Sequence, residues 1–245
     1  MINKVIGSVE EAIADINDGA MIALAGFCTA GVPRFLLRAL VEKGTRNLTL
    51  ACGCGPLLAA PEEKAMLVGN RQLSKVIDSY ALHSSANLGS DDPFEQAVRA
   101  GDIELELHPM GTLAEKYRAG GAGIPAFYTP TGRGSVVEKN VISNFMENRK
   151  EKETMVFDGQ NCILERALKP DFAFIRAAVA DTLGNLRYRK TGRNFGPVMA
   201  AAARITIVEV EEIVAPGEIP ADDVHTPGIY VQRLVKLPPL YCAIQ

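Results

Sequence analysis

Residues 21–33 read Met-Ile-Ala-Leu-Ala-Gly-Phe-Cys-Thr-Ala-Gly-Val-Pro, an apolar run that turns into a glycine-rich segment and ends at a proline. Residues 21–25 have the composition of a buried strand. Pro33 suits the first turn of a helix, and the residues after it place an apolar stripe on one helical face: Leu36, Leu37, Leu40 and Val41. The segment 26–32 therefore joins a strand to a helix, which is the repeating step of an α/β fold.

The same alternation continues on both sides of this unit. Ser8 and Glu11 form a capping box ahead of an apolar helical stripe, and Asp92-Pro93 predicts another helix start. Further strands are predicted at residues 48–52, 76–80, 103–107, 172–179, 205–210 and 229–235. This order predicts an α/β fold with a mostly parallel sheet flanked by helices and right-handed crossovers. We expect residues 1–245 to form a single domain.

After Gly132 the pattern changes. The segments 135–140 and 155–164 predict two strands, and between them lies the charged run 147–153, which is typical of a solvated turn. The sequence therefore predicts a small inserted β-hairpin over about residues 133–165.

Composition limits the class of protein. The 245 residues are 47% hydrophobic and 22% charged, which suits a compact core. A formal net charge of −3 with scattered lysines and arginines argues against binding to nucleic acid or to an anionic membrane. The longest apolar run, residues 20–27, is too short to span a bilayer. We expect a cytoplasmic protein.

The cysteines and histidines predict no metal site. Five cysteines are widely spread in apolar contexts, as expected for small buried residues in a reducing compartment: Cys28, Cys52, Cys54, Cys162 and Cys242. Cys52-Gly53-Cys54 is compatible with metal ligation, but the three histidines show no paired spacing that would complete a tetrahedral site: His83, His108 and His225. No dinucleotide fingerprint or phosphate-binding lysine loop is present, so no nicotinamide or flavin and no permanently bound cofactor is expected.

A second glycine-rich stretch, residues 119–132, reads Ala-Gly-Gly-Ala-Gly-Ile-Pro-Ala-Phe-Tyr-Thr-Pro-Thr-Gly, with four glycines and two prolines in fourteen residues. Glycine loops at the carboxyl ends of parallel strands allow main-chain N–H groups to converge on developing negative charge. We expect the segments 26–33 and 120–125 both to occupy such positions. For either loop alone, glycines that merely permit a tight turn are an equal alternative.

Taken together and in this order, these stretches resemble the alpha subunit of the family I coenzyme A transferases. The resemblance extends over nearly the whole chain. It includes Asp18-Gly19 before the first loop and Gly111-Thr112-Leu113-Ala114-Glu115 before the second. It continues through Asp181-Thr182-Leu183-Gly184-Asn185-Leu186, Arg193-Asn194-Phe195, residues 208–214 and His225-Thr226-Pro227-Gly228. Without the resemblance, Arg193-Asn194-Phe195 could equally cap the helix that follows. Glu211 and Glu212 are predicted to be surface residues.

The resemblance implies that coenzyme A is moved between an acyl-CoA and a carboxylic acid through a glutamyl-CoA thioester, with the CoA thioester as substrate. In this family the nucleophilic glutamate belongs to a beta subunit. Glu147-Asn148 lacks the following glycine, and three other glutamates read as salt-bridging positions: Glu115, Glu138 and Glu165. We therefore expect no catalytic residue in this chain, inactivity of the chain alone, and an active site at the interface with a beta partner, in a heterodimer or heterotetramer.

The resemblance places the expected substrate- and CoA-binding residues at Gly26, Phe27, Gly31, Pro33, Gly53, Cys54, Met110, Gly120, Gly121, Ala122, Gly123, Asn194 and Phe195. Three of these depart from the family pattern. Met110 stands where better-known members carry a glutamine, and methionine cannot donate a hydrogen bond. Gly53 and Cys54 fall about where those members have asparagine. A less polar pocket for a bulkier acid than acetate or succinate is the resulting expectation.

Two alternatives remain open on the sequence alone. One is a CoA-ester hydrolase or ring-opening hydrolase on the same two-subunit scaffold, and the other is a subunit that serves only as a non-catalytic scaffold. The first alternative would be indicated by a beta chain without the catalytic glutamate. Acyl-CoA metabolism, of fatty acids or ketone bodies, is the context that the resemblance implies.

Overall fold

The computed structural model of the protein describes residues 2–81, 92–139 and 151–242. The strands in chain order are β1 (Met21–Leu24), β2 (Leu48–Ala51), β3 (Leu73–Asp78), β4 (Glu104–Leu107), β5 (Ala126–Thr129), β6 (Thr154–Phe157), β7 (Gln160–Arg166), β8 (Phe172–Asp181), β9 (Leu186–Arg187), β10 (Ile205–Val214) and β11 (Arg233–Lys236). The helices are α1 (Val9–Ala12), α2 (Arg34–Lys43), α3 (Pro61–Gly69), α4 (Pro93–Ala100), α5 (Met110–Gly121), α6 (Gly196–Ala202) and α7 (Pro239–Cys242).

The central sheet has the strand order β11-β10-β8-β1-β2-β3-β4, with β9 added beside β8. Each pair along that path is parallel, and β9 is antiparallel to β8. The predicted mostly parallel sheet is therefore confirmed.

Both faces of the central sheet are covered, which explains the nearly continuous apolar strands. Side chains alternate between faces along a strand, and β8 shows this directly. Phe172 and Phe174 pack in a core with residues of α1 to α4, whereas Ala173 and Ile175 pack in a second core with residues of α5 and α6. The carboxyl ends of the seven parallel strands consequently meet at one open edge, where loops can form a site.

Local signals in the sequence explain where several helices begin and end. The hydroxyl of Ser8 accepts a hydrogen bond from the Glu11 N–H at 3.1 Å, and the Asp92 carboxylate accepts one from the Phe94 N–H at 2.9 Å. α2 ends at Gly44, whose φ of 77° is the left-handed value that favours glycine. The predicted helix starts at residues 8 and 92 are confirmed.

The inserted region differs from the prediction. Val136–Lys139 form a 3-10 turn, so the predicted strand at 135–140 is wrong as far as the described residues reach, and Asn140 lies outside them. The predicted strand at 155–164 is in fact two strands, β6 and β7, because Asp158 and Gly159 form a two-residue turn with φ of 50° and 77°. Asp-Gly favours a hairpin turn of this kind. β5 completes a small antiparallel sheet in the order β5-β7-β6.

The charged run 147–153, which was predicted to be a solvated turn, is only partly exposed where it is described. Residues 147–150 lie outside the described chain, and Glu151 and Glu153 are exposed as predicted. Lys152 is buried instead, because its ammonium pairs with the carboxylate of Glu165 on β7.

Candidate functional site

The loop after β1 packs backbone against backbone on the segment before α6. Gly26 has φ of 129°, and its N–H donates to the Asn194 side-chain oxygen at 3.3 Å. A Cβ added to Gly31 would lie 2.7 Å from the Gly192 carbonyl oxygen. Both positions therefore require glycine, one for its backbone conformation and the other for the close approach of two main chains.

The loop after β2 joins the same cluster. Cys28 donates its N–H to the Cys54 carbonyl oxygen at 2.9 Å, and a Cβ on Gly53 would lie only 2.5 Å from Cδ2 of Phe195. The structure thus brings together seven of the expected site residues at the carboxyl edge of the sheet: Gly26, Phe27, Gly31, Gly53, Cys54, Asn194 and Phe195.

Asp78, which the sequence analysis missed, organises this part of the edge. Its buried Oδ1 at the end of β3 accepts N–H groups from Gly55 at 3.3 Å, Ser79 at 2.7 Å and Tyr80 at 3.3 Å. Burial raises the pKa of Asp78, although the same three N–H groups oppose that rise. The sequence carried one signal for this role, which is an aspartate at the end of a buried strand.

Met110 lies at the same carboxyl edge of the sheet, in the connection that follows the edge strand β4. It begins α5 after β4, and its side chain is 42% exposed. The preceding His108 is buried between Glu106 and Glu165. Burial opposes ionisation of Glu106, but its hydrogen bond to His108 and the charge of Lys75 outweigh burial and lower the pKa to about 2. The Met110 side chain is thus exposed to solvent, while the buried contacts of His108 hold the start of α5 in place.

The second glycine stretch does not occupy the predicted position. Gly120 and Gly121 form the last turn of α5, and a Cβ on Gly120 would lie 1.9 Å from the Leu168 carbonyl oxygen. Leu168 precedes β8, so this contact lies at the amino edge of the sheet. The expectation that residues 120–125 lie at a carboxyl edge is wrong, because α5 starts at that edge and its twelve residues run to the opposite one.

These glycines instead permit tight packing. A Cβ on Gly121 would lie 2.9 Å from the carbonyl carbon of Ala201 at the end of α6. Ala122 and Gly123 are exposed in the turn that follows, where Gly123 has φ of 75°. Whether Gly120, Gly121, Ala122 and Gly123 contact substrate stays a prediction.

The start of α2 is held by a buried acid that the sequence analysis also missed. The N-cap residue Pro33 supplies no side-chain cap, and Oε2 of Glu209 on β10 accepts the Leu36 N–H at 3.1 Å. Burial raises the pKa of Glu209 to about 8, with the Leu36 N–H and the nearby Arg176 opposing it. A carboxyl group at a helix N-terminus satisfies an otherwise unpaired donor.

Glu211 is half-buried and not free, so the prediction of a surface residue is wrong for it. Its carboxylate pairs with Arg176 at 3.0 Å and with Arg189 at 2.9 Å. Glu212 is exposed, as predicted, because the next residue along a strand points to the opposite side.

The glutamates considered as nucleophiles make ion pairs where they are described. Glu115 pairs with Arg118, Glu138 pairs with Arg133, and Glu165 pairs with two buried lysines. Glu147 lies outside the described residues.

No helix within residues 2–81, 92–139 and 151–242 is long and apolar enough to cross a membrane. No group of three or more histidine, cysteine, aspartate or glutamate side chains there could hold a metal ion. Cys52, Cys54 and Cys162 are buried and Cys28 is half-buried, and all four thiols are free. His83 lies outside the described chain.

Several solved structures share this architecture. A variant of the decarboxylase AibA/AibB superimposes with a TM-score of 0.76 at 27% identity, covering 97% of this chain and 84% of that one. Glutaconate coenzyme A-transferase from Acidaminococcus fermentans gives a TM-score of 0.78 at 25% identity, covering 96% and 76% of the two chains. The acyl-CoA transferase YdiF from E. coli O157:H7, at 20% identity and a TM-score of 0.78 over 97% of this chain and 48% of that one, shares the fold.

Sequence comparison is more specific. The A-type subunit of succinyl-CoA:3-ketoacid coenzyme A transferase from Helicobacter pylori strain J99 is 41% identical over 237 residues, which cover 96% of this chain and 92% of the relative. The corresponding probable subunit from Bacillus subtilis strain 168 is 42% identical over 233 residues, covering 95% and 89%. The family profile described as coenzyme A transferase matches residues 6–237. The chain therefore belongs to the coenzyme A transferase family.

Proposed function

We propose that this chain is the alpha subunit of a heteromeric CoA-transferase, which moves coenzyme A between an acyl-CoA and a carboxylic acid. The observation that carries the proposal is the family match over residues 6–237, with relatives named as A-type subunits at about 40% identity along nearly their full length. An alpha subunit requires a beta subunit, and the proposal assigns the nucleophilic glutamate to that partner.

The geometry supports a role for this chain in binding and orienting the thioester rather than in attacking it. The loops after β1 and β2 form a compact ridge at the carboxyl edge of the sheet, where Gly26, Gly31 and Gly53 allow neighbouring segments to approach one another closely. N–H groups in such loops stabilise a developing oxyanion, and loss of one such donor typically costs about 10²–10³-fold in rate. We assign the loops the role of orienting the thioester, while the partner's carboxylate attacks it.

The substrate pair follows from the relatives and from Met110. Relatives named for succinyl-CoA and a 3-ketoacid make these the first substrates to test. The exposed thioether of Met110 at the edge favours an acceptor with an apolar acyl chain. We place the complex in the cytoplasm and in acyl-CoA metabolism of fatty acids or ketone bodies. The cysteines, none of which is disulfide-bonded among those described, support a reducing compartment.

The test is reconstitution. The purified chain, the beta chain of a related CoA-transferase and the mixture of both are assayed for CoA transfer from succinyl-CoA to 3-ketoacids of increasing chain length. We expect activity in the mixture alone, and a covalent CoA adduct on the beta chain by mass spectrometry. Robust turnover by the isolated 245-residue chain would overturn the proposal. Thioester hydrolysis without acceptor dependence would instead indicate the hydrolase alternative.

A further inference from the structure

A cleft of about 240 Å³ opens between the loop after β1 and the carboxyl-terminal half of β8. Its walls include Thr29 to Gly31 on one side and residues 189–192 on the other. Gly31 belongs both to the cleft and to the ridge to which we assign thioester binding, whereas Gly26, Gly53 and Met110 do not line the cleft. The cleft therefore adjoins the ridge. Pockets for complete drug-sized ligands hold about 300–1,000 Å³. This cleft therefore suits a small molecule or one group of a larger one.

The charged groups that line the cleft carry an excess of positive charge. Arg176, Arg189 and Lys190 contribute three cations, and Glu211 is the one carboxylate among the described lining residues. Arg176 and Arg189 share that single carboxylate, at 3.0 and 2.9 Å. Glu209 lies next to Arg176, but burial raises its pKa to about 8, so it adds little negative charge at neutral pH.

Arg176 is held rigidly within the cleft. Its guanidinium is nine-tenths buried and donates to the Glu211 carboxylate and to the Tyr241 carbonyl oxygen, each at 3.0 Å. A buried cation of fixed direction loses little conformational entropy when it meets an anion.

Lys190 is the unusual residue of the cleft. Its φ of 48° lies in the left-handed region, which a lysine rarely adopts. Within residues 2–81, 92–139 and 151–242 its ammonium makes no ion pair. Backbone strain concentrates at ligand-binding positions, where the surrounding structure maintains it. Here the strained residue carries an unpaired cation beside two arginines.

We propose that this cleft is a binding site for an anionic oxygen group, a carboxylate or a phosphate, with Lys190 and Arg189 contacting the anion and Arg176 fixed behind them. The contact between Gly31 and Gly192 joins the loop after β1 to the segment before α6. An anion bound in the cleft therefore bridges these two segments. The site is a property of this chain alone and does not depend on the proposed transfer reaction.

The test is isothermal titration calorimetry on the full chain without a partner, at constant ionic strength. Three probes distinguish the sources of the anion: inorganic phosphate, adenosine 3′,5′-bisphosphate and succinate. We expect at least one of them to bind with a Kd below about 1 mM. Tighter binding of the bisphosphate than of phosphate identifies a nucleotide end, and preference for succinate identifies a carboxylic acid. If none of the three binds, the proposal is wrong.

Variants identify the site. Lys190→Gln is expected to weaken binding about tenfold, Lys190→Arg to retain it, and Lys169→Gln to leave it unchanged, since Lys169 is exposed and lies outside the cleft. Lys190→Gly removes both the charge and the backbone strain, so it is expected to raise Tm while it weakens binding. Equal affinities of the Lys190→Gln, Lys190→Gly and Lys169→Gln variants would contradict the proposal.

Discussion

Gly53 shows how closely a single residue can be constrained by its neighbour. A Cβ at this position would lie 2.5 Å from Cδ2 of Phe195, a distance that requires the aromatic ring to move. Phe195 in turn packs edge-to-face on Tyr117, with ring centroids 6.3 Å apart. The Phe195 ring therefore occupies the space that an alanine methyl group at position 53 would need, and the core formed with α5 and α6 holds that ring in place.

We expect Gly53→Ala to lower the free energy of unfolding by about 1–3 kcal/mol, because overpacking displaces Phe195. The measurement is denaturant unfolding followed by circular dichroism. Gly69→Ala is the matched control, since Gly69 ends α3 with no atom within 4 Å of the added Cβ and no left-handed φ. The control is expected to be neutral or slightly stabilising. Equal stability of both variants would show that Phe195 relaxes freely.

Met110 is the residue whose substitution reports on substrate selectivity. Its side chain is exposed at the start of α5, so Met110→Gln is expected to change the free energy of unfolding by no more than about 0.5 kcal/mol. In the reconstituted complex, the amide is expected to favour small polar acids over apolar ones, because it supplies a donor that methionine lacks. The measurement is kcat/KM across a series from acetate to aromatic acids. Unchanged selectivity would mean that Met110 does not contact the acyl group.

Residue identity predicted the glycine ridge better than it predicted the buried acids. Gly26, Gly31 and Gly53 stand out in sequence because few other residues tolerate such backbone positions and contacts. Asp78 and Glu209 did not stand out, because a carboxylate in sequence carries no mark of burial. Each of them also accepts an N–H group from a distant segment, 23 residues away for Gly55 and 173 away for Leu36.

At the scale of elements, α2 and the loop before it are held by β10. The helix begins after Pro33 without a side-chain cap of its own, and the Glu209 carboxyl group accepts the Leu36 N–H in its place. The acid is fully buried, and its Oε1 has no hydrogen-bond partner, although the Arg176 guanidinium lies 3.6 Å away. Charging this group is therefore costly, which is the physical origin of its raised pKa.

This leads to a pH-dependent prediction. Between the unfolded pKa of 4.5 and the folded pKa of about 8, the folded protein retains a proton on Glu209 that the unfolded chain has released. The free energy of unfolding therefore falls with rising pH by roughly 1 kcal/mol per pH unit from this group. Glu209→Gln keeps an acceptor for the Leu36 N–H but cannot ionise, so its stability is expected to fall less steeply between pH 5 and 8.

The measurement is urea unfolding at four pH values across that range. Glu212→Gln serves as the control, because Glu212 is exposed on the same strand and its removal is expected to leave the wild-type slope intact. Parallel stability curves for the wild type and Glu209→Gln would contradict a protonated Glu209.

The elements show why a correct fold class can accompany a misplaced segment. The parallel strands are apolar and regular enough for their positions along the chain to be predicted from sequence, and β8 continues only two residues beyond its predicted end. The glycines of residues 120–125 predict a loop at the carboxyl edge, and glycine is also a poor helix former. In the structure, tertiary packing against Leu168 and Ala201 stabilises helix where propensity opposes it. The Asp158-Gly159 turn, by contrast, carried a local signal that the prediction of one strand overlooked.

At the scale of the whole molecule, a buried network of charges connects the small antiparallel sheet to the rest. Glu165 on β7 is 2% exposed and pairs with Lys116 of α5, with Lys152 and, at 3.6 Å, with Nδ1 of His108. Burial disfavours its charge, but the nearby His108 ring and the two lysines outweigh burial and lower the pKa to about 2. The Glu165 carboxylate thus neutralises two buried lysines, Lys116 and Lys152, that come from separate parts of the chain.

Glu165→Ala is therefore expected to destabilise the protein by about 3–5 kcal/mol, since it leaves two lysines buried without their counter-ion. Glu115→Ala, which removes an exposed pair with Arg118, is expected to cost no more than about 0.5 kcal/mol. The folded pKa of Glu165 lies below its unfolded value of 4.5, so its contribution is complete above pH 4.5 and is lost as pH falls toward 2. The stability difference between the wild type and Glu165→Ala should accordingly be constant from pH 7 to 5 and shrink below pH 4.5. A difference that stays the same at pH 3.5, measured by urea unfolding, would mean that packing rather than charge at Glu165 connects the two sheets.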